Sequence, residues 1–174
     1  MNLPNVLTLL RMVAVPFVVY ALLLQTDRGD QVAAALFAVA AITDFVDGAI
    51  ARRQNIVTRF GKLMDPLADK LLVTSVFITL SVQDRLPLWV TLVVLAREFA
   101  VTGLRMLVAD DGQVISASRW GKLKTVLQMY AVIAVILFAP ATWVTVLVDV
   151  MVAVTVLSGV DYFLNISKRT DKPA

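Results

Sequence analysis

Two uncharged runs, VAAALFAVAAIT at 32–43 and LLVTSVFITLSV at 71–82, belong to a series of long apolar segments that fills most of this 174-residue chain. The segments read as about 6–24, 32–51, 63–82, 87–108, 124–140 and 143–164. Each is close to the ~20 residues a helix needs to cross a hydrocarbon core about 30 Å thick. A helix also satisfies its backbone donors and acceptors internally, which an open sheet in lipid cannot do. Hydrophobic residues make up 59% of the chain and the mean hydropathy is +0.82, whereas roughly half is usual for soluble domains. The expectation is an all-α polytopic membrane protein with six transmembrane helices, a single domain over 1–174, and no soluble module.

The basic residues assign sides. Arg52, Arg53, Arg59, Lys62, Arg105, Arg119, Lys122, Lys124, Lys168, Arg169 and Lys172 fall on one side of these segments, and only Arg28 and Arg85 on the other. The positive-inside rule then puts both termini and the loop near residue 55 in the cytoplasm, as for a multi-pass protein of a bacterial-type inner membrane. The pI of 9.4 suits a face that meets anionic lipid or a phosphorylated substrate. Nucleic acid is a poor fit, because these cations border membrane segments and no recognition module is present. The first segment carries Arg11 inside it and no small-residue cleavage site after Leu24, so it is expected to be retained rather than removed as a signal peptide.

The chain contains no Cys and no His, which removes the usual ligands of zinc, haem and iron–sulfur groups as well as thiol and imidazole nucleophiles. Any bound metal must have oxygen ligands, favouring Mg²⁺, Mn²⁺ or Ca²⁺. Any general base must be a carboxylate, a lysine or a tyrosine.

Carboxylates stand where those requirements can be met. Asp44-Phe-Val-Asp47-Gly48-Ala-Ile-Ala51-Arg52 is followed, eight residues on, by Gly61-Lys-Leu-Met-Asp65-Pro-Leu-Ala-Asp69. Asp44 and Asp47 are spaced i,i+3 and Asp65 and Asp69 i,i+4, so each pair projects from one face of its own helix. Counting the uncharged runs beside them at 1.5 Å per residue, both pairs lie roughly 18–20 Å from the same membrane face, in the half nearer the loop that joins the two helices. Charge at such depth marks an ion, proton or substrate site. Four convergent carboxylates repel one another unless protonated or neutralised, and two divalent cations supply the matching charge. A pair of metals is suited to in-line displacement at phosphorus. Gly48 offers a patch where a ligand could approach the backbone, and Gly61 either does the same or simply lets the loop turn.

This D-x2-D-G-x2-A-R-x8-G-x3-D-x3-D pattern resembles, at every fixed position, the signature of the CDP-alcohol phosphatidyltransferases, membrane enzymes with six transmembrane helices. The resemblance implies two divalent cations, Mg²⁺ or Mn²⁺, held by Asp44, Asp47, Asp65 and Asp69, with the CDP part of a CDP-linked lipid near Gly48, Ala51 and Arg52. It implies Asp69 as the base that activates an acceptor hydroxyl for attack on the lipid-bearing phosphorus, with CMP expelled. It also implies a homodimer. For Gly48 and Ala51 the competing role is close helix packing; for Arg52, interfacial anchoring.

Softer matches, Met1–Arg11, Ala96-Arg97-Glu98, Gly103-Leu-Arg105 and Ser116–Gln128, resemble the branch that uses CDP-diacylglycerol and sn-glycerol 3-phosphate. A dianionic acceptor needs cations. Arg105, Lys122 and Lys124 are the candidates for its phosphate, with Arg119 a weaker fourth, and membrane anchoring is their competing role. Asn5, Thr8 and Arg11 form one polar stripe, directed either to the nucleotide or lipid phosphates or to interfacial headgroups. Arg97 and Glu98, being adjacent, are expected to face different helices. Asp149 has no evident partner. The rival readings are another acceptor, such as serine, inositol phosphate or a second phospholipid, and a divalent-cation transporter, although a transporter would be expected to carry charged or broken helices in both halves.

Overall fold

The computed structural model describes the backbone of residues 3–54, 59–110 and 119–170, and the side chains of 8–43, 67–68, 70–106 and 120–165. Among the described residues all regular structure is helical: α1 (Leu3–Leu23), α2 (Asp27–Gln54), α3 (Arg59–Val82), α4 (Leu88–Asp110), α5 (Arg119–Phe138) and α6 (Thr142–Thr170). Six helices follow the six apolar segments. Several run past the apolar limits because polar ends extend the same hydrogen-bond ladder, as α2 does by starting at Asp27 and α6 by ending at Thr170. Trp120–Phe138 and Thr142–Asn165 are long and apolar enough to cross a membrane, and Thr8–Leu23 and Lys70–Val82 are shorter apolar stretches.

The helices fall into two units. The first comprises Met1–Leu86 with Val132–Ala139, and the second Pro87–Ala131 with Pro140–Ala174. In the first unit α1 packs along both α2 and α3, whereas α2 and α3 meet over only a short stretch. The buried face of α1 shows why: Thr8, Arg11, Val15, Val18, Ala21 and Leu22 recur at helical spacing, and Ala33, Ala34, Phe37, Ala40, Leu72, Val76, Phe77 and Leu80 supply the buried residues of α2 and α3. Leu10, Val13, Phe17 and Tyr20 point outward on α1. A helix with apolar residues on its outward face as well as its inward one is suited to lipid rather than to water.

Tight turns keep these helices antiparallel. Gln25 closes α1 in the left-handed region at φ 50°, and Thr26 caps α2 through Gly29 N–H donating to Thr26 Oγ1 at 3.1 Å. A Cβ at Gly29 would meet the Ala21 carbonyl oxygen at 2.6 Å, so only glycine permits this approach. At the end of α3, Asp84 takes φ 56°, and Arg85 N–H and Asp84 N–H bond back to Leu80 and Ser81 at 3.0 and 3.2 Å, a Schellman closure. Gln83 Nε2 then donates to the Leu22 carbonyl at 2.8 Å, tying the α1 and α3 ends together.

Arg85 finishes that end of the unit. It pairs with Asp30 at 2.8 Å and donates to the carbonyls of Val135 and Ile136. Those carbonyls belong to the last turn of α5, where backbone acceptors lack intrahelical partners and a cation is favoured.

Candidate functional site

In the first unit the four aspartates fall on the last half of α2 and the first half of α3. The turn after α1 makes α2 antiparallel to it, and α1 packs along both α2 and α3. Asp44 stands ten residues before Gln54, the end of α2, and Asp69 ten residues after Arg59, the start of α3. At 1.5 Å per residue, both lie about 15 Å in from their helix ends. Asp47 and Asp65 are seven and six residues in on the same count. The two acidic pairs therefore stand at similar distances along the chain from the end of α2 and from the start of α3, in one unit. Beyond these helix positions Asn5, Asp44, Asp47, Gly48, Ala51, Arg52, Gly61, Asp65, Asp69 and Arg119 lie outside the described residues.

Thr8 and Arg11 are described. They are 1% and 2% exposed, in line with the apolar stripe below them. These two side chains accordingly face the interior of the unit. Because side chains lean toward a helix N-terminus, both point toward the start of α1. One residue before Asp44, Thr43 bonds its hydroxyl to the carbonyls of Val39 and Ala40 at 2.9 and 2.8 Å, which satisfies a polar group within its own helix.

The donor chemistry fits a hard divalent cation. A chain without Cys or His offers oxygen ligands alone, which suits such an ion. Among the described residues no group of three or more His, Cys, Asp or Glu comes together elsewhere.

The second unit holds a different polar set. Lys124, 4% exposed, forms an ion pair with Glu98. Arg97 Nη2 donates to Ser158 Oγ at 2.6 Å, and Arg97 Nη1 lies 3.4 Å from Glu98 Oε1. The expectation that Arg97 and Glu98 turn to different helices holds in part: one reaches α6 and the other α5, yet the two long side chains also meet. Both bracket the same inward edge of α4, and side-chain length closes the angle that adjacency opens. Lys124, a candidate for the acceptor phosphate, thus shares the Glu98 carboxylate with Arg97, and these three groups keep one net positive charge. Lys122 is exposed. Arg105 lies over the ring of Tyr162, with its guanidinium carbon 5.3 Å from the centroid.

Sequence reasoning missed Tyr162 and the Glu98–Lys124 pair. Both depend on which helices adjoin and in what register, and spacing along one helix carries no signal for that. Asp149 is exposed on α6.

A family model described as CDP-alcohol phosphatidyltransferase matches residues 1–157. The chain belongs to the CDP-alcohol phosphatidyltransferase family. It is therefore an enzyme of that class. A Bacillus subtilis (strain 168) relative named CDP-diacylglycerol–glycerol-3-phosphate 3-phosphatidyltransferase is 42% identical over 186 residues, covering 93% of this chain and 93% of the relative. A Rickettsia felis protein of the same name is 38% identical over 169 residues, with 93% of each covered. A protein of Mycobacterium tuberculosis (strain ATCC 25618 / H37Rv) named probable phosphatidylglycerophosphate synthase is 45% identical over 167 residues, covering 92% of this chain and 79% of the relative.

Proposed function

We propose that this enzyme transfers the phosphatidyl group from CDP-diacylglycerol to sn-glycerol 3-phosphate, giving phosphatidylglycerophosphate and CMP. The supporting observation is the likeness to relatives named for that reaction along 93% of both chains. It is joined to a four-aspartate pattern spaced i,i+3 on α2 and i,i+4 on α3.

In this reading Asp44, Asp47, Asp65 and Asp69 hold two divalent cations, Mg²⁺ or Mn²⁺. Bound there, the cations would withdraw charge from the phosphoryl oxygens and stabilise the entering and leaving oxygens. Asp69 takes the proton of the acceptor hydroxyl as that oxygen bonds to the lipid-bearing phosphorus. The bond from this phosphorus to the CMP oxygen breaks, and CMP leaves. Gly48, Ala51, Arg52, Gly61, Asn5 and Thr8 serve the CDP-lipid; the burial of Thr8 beside Arg11 favours an inward role for that stripe.

Arg105 and Lys122 bind the acceptor phosphate by charge. Lys124, which shares Glu98 with Arg97, adds a further donor, and Arg119 is a further cation of the same group. The chain spans a bacterial-type inner membrane six times with both termini and the active site at the cytoplasmic face, in the orientation its Lys and Arg asymmetry favours. It works there as a homodimer. The test is CMP release from CDP-diacylglycerol with sn-glycerol 3-phosphate as acceptor, against serine and inositol phosphate as acceptors.

A further inference from the structure

Tyr162 is a large aromatic residue only 4% exposed, and its buried hydroxyl has no hydrogen-bond partner among the described residues. A buried phenol without a partner is costly, and a leucine or phenylalanine would fill the same space without that cost. The group that lies against it is charged. The Arg105 guanidinium carbon stands 5.3 Å from the ring centroid, a cation–π distance. Arg105 is exposed, so its long arm would otherwise sample many rotamers. The ring holds the guanidinium to one region while leaving its N–H groups open to a ligand.

The placement of the two residues follows from the unit's architecture. α4 and α6 pack together within the second unit and run in the same direction, since α5 returns between them. One contact below, Arg97 reaches Ser158, and Arg97 Cγ would lie 3.4 Å from a Cβ at Gly159. That close approach, one helical turn before Tyr162, brings the ring under Arg105. A fixed guanidinium and an unused hydroxyl donor at one end of two adjoining helices are the components of an oxyanion subsite.

We propose that Tyr162 positions Arg105 and donates its own hydroxyl hydrogen bond to a phosphate oxygen of the acceptor, so that it helps select a phosphorylated acceptor over a neutral one. This inference rests on the reading of Arg105 as an acceptor-phosphate residue. Tyr162 takes no part in proton transfer. Its ring acts through Arg105, and its hydroxyl acts on the substrate.

The test uses the full-length protein in mixed micelles of CDP-diacylglycerol, with the KM of each substrate and kcat measured for wild type, Tyr162→Phe, Tyr162→Leu, Arg105→Ala and the Arg105→Ala/Tyr162→Leu double variant. Tyr162→Phe keeps the ring and removes only the hydroxyl. It should raise the KM for sn-glycerol 3-phosphate about tenfold and leave the KM for CDP-diacylglycerol within about twofold. Tyr162→Leu should raise the acceptor KM several-fold further. The double variant should show less than the product of the two single effects, because the ring has nothing left to hold. A wild-type acceptor KM in Tyr162→Phe would overturn the role of the hydroxyl. Equal rises in both KM values, or a loss of kcat alone in step with a lowered unfolding midpoint, would overturn the positioning role. If Arg105→Ala raises the acceptor KM while both Tyr162 variants leave it unchanged, the Arg105 reading stands and this inference fails. If Arg105→Ala leaves it unchanged, the Arg105 reading itself fails.

Discussion

Asp44, Asp47, Asp65 and Asp69 are expected to differ in the kind of damage that their loss causes. Asn keeps the size of Asp and removes one negative charge, so Asp44→Asn, Asp47→Asn or Asp65→Asn should weaken metal binding and abolish most activity. Titration of Mg²⁺ or Mn²⁺ against CMP release checks this, and near-normal turnover in one variant would remove that residue from the metal site. Asp69→Asn should lower kcat far more than it raises the KM for CDP-diacylglycerol, since the proposed base acts on the acceptor proton. A pure KM effect would leave Asp69 a binding role alone. The acidic pattern was legible in the sequence because its information lies along single helices: i,i+3 and i,i+4 spacing sets the faces, and the distance to the helix ends sets the levels. The Glu98–Lys124 pair was not legible. Replacing Glu98 with Gln removes a counter-charge from the buried Lys124 ammonium, at a cost of up to about 3–5 kcal/mol. A lowered thermal midpoint in detergent is the expected reading, and an unchanged midpoint would mean that Lys124 is satisfied by other groups.

The six apolar segments mapped onto six helices because a helix satisfies the backbone donors and acceptors of a long apolar run internally. The helix ends were harder to read. α2 begins at Asp27 rather than near 32 because Thr26 supplies a cap, and the first turn already carries acidic Asp27 and Asp30, which the N-terminal end of a helix dipole favours. The roles of Arg85 and Gly29 were equally out of reach. A sequence shows Arg85 as a lone cation in a short turn, while the structure has it pairing with Asp30 and capping the last carbonyls of α5. Arg85→Ala should cost about 1–3 kcal/mol by removing the partner of the Ile136 carbonyl and of Asp30, while the Val135 carbonyl keeps its bond from Ala139 N–H. Both KM values should stay near wild type at a permissive temperature, because Arg85 lies past the end of α3 remote from Asp65 and Asp69; a changed acceptor KM would contradict that separation. Gly29→Ala places a methyl against a backbone oxygen at 2.6 Å, and the overpacking should lower stability by about 1–3 kcal/mol.

For the whole molecule, the proposed topology makes a prediction that the absence of native cysteine makes simple to test. A single cysteine at Asp84 should react with a membrane-impermeant thiol reagent in intact spheroplasts, and one at Lys168 only after permeabilisation. The reverse pattern would invert the orientation. The account turns on the reaction itself, so the most direct measurement is CMP release by the purified protein given CDP-diacylglycerol and, separately, sn-glycerol 3-phosphate, glycerol, serine and inositol phosphate, each with Mg²⁺ or Mn²⁺ and again with a chelator. The expected result is cation-dependent CMP release with sn-glycerol 3-phosphate and little with glycerol, which lacks the phosphate that Arg105 and Lys122 would bind. No CMP with sn-glycerol 3-phosphate, faster turnover of serine or inositol phosphate, or release undiminished by chelation would contradict it.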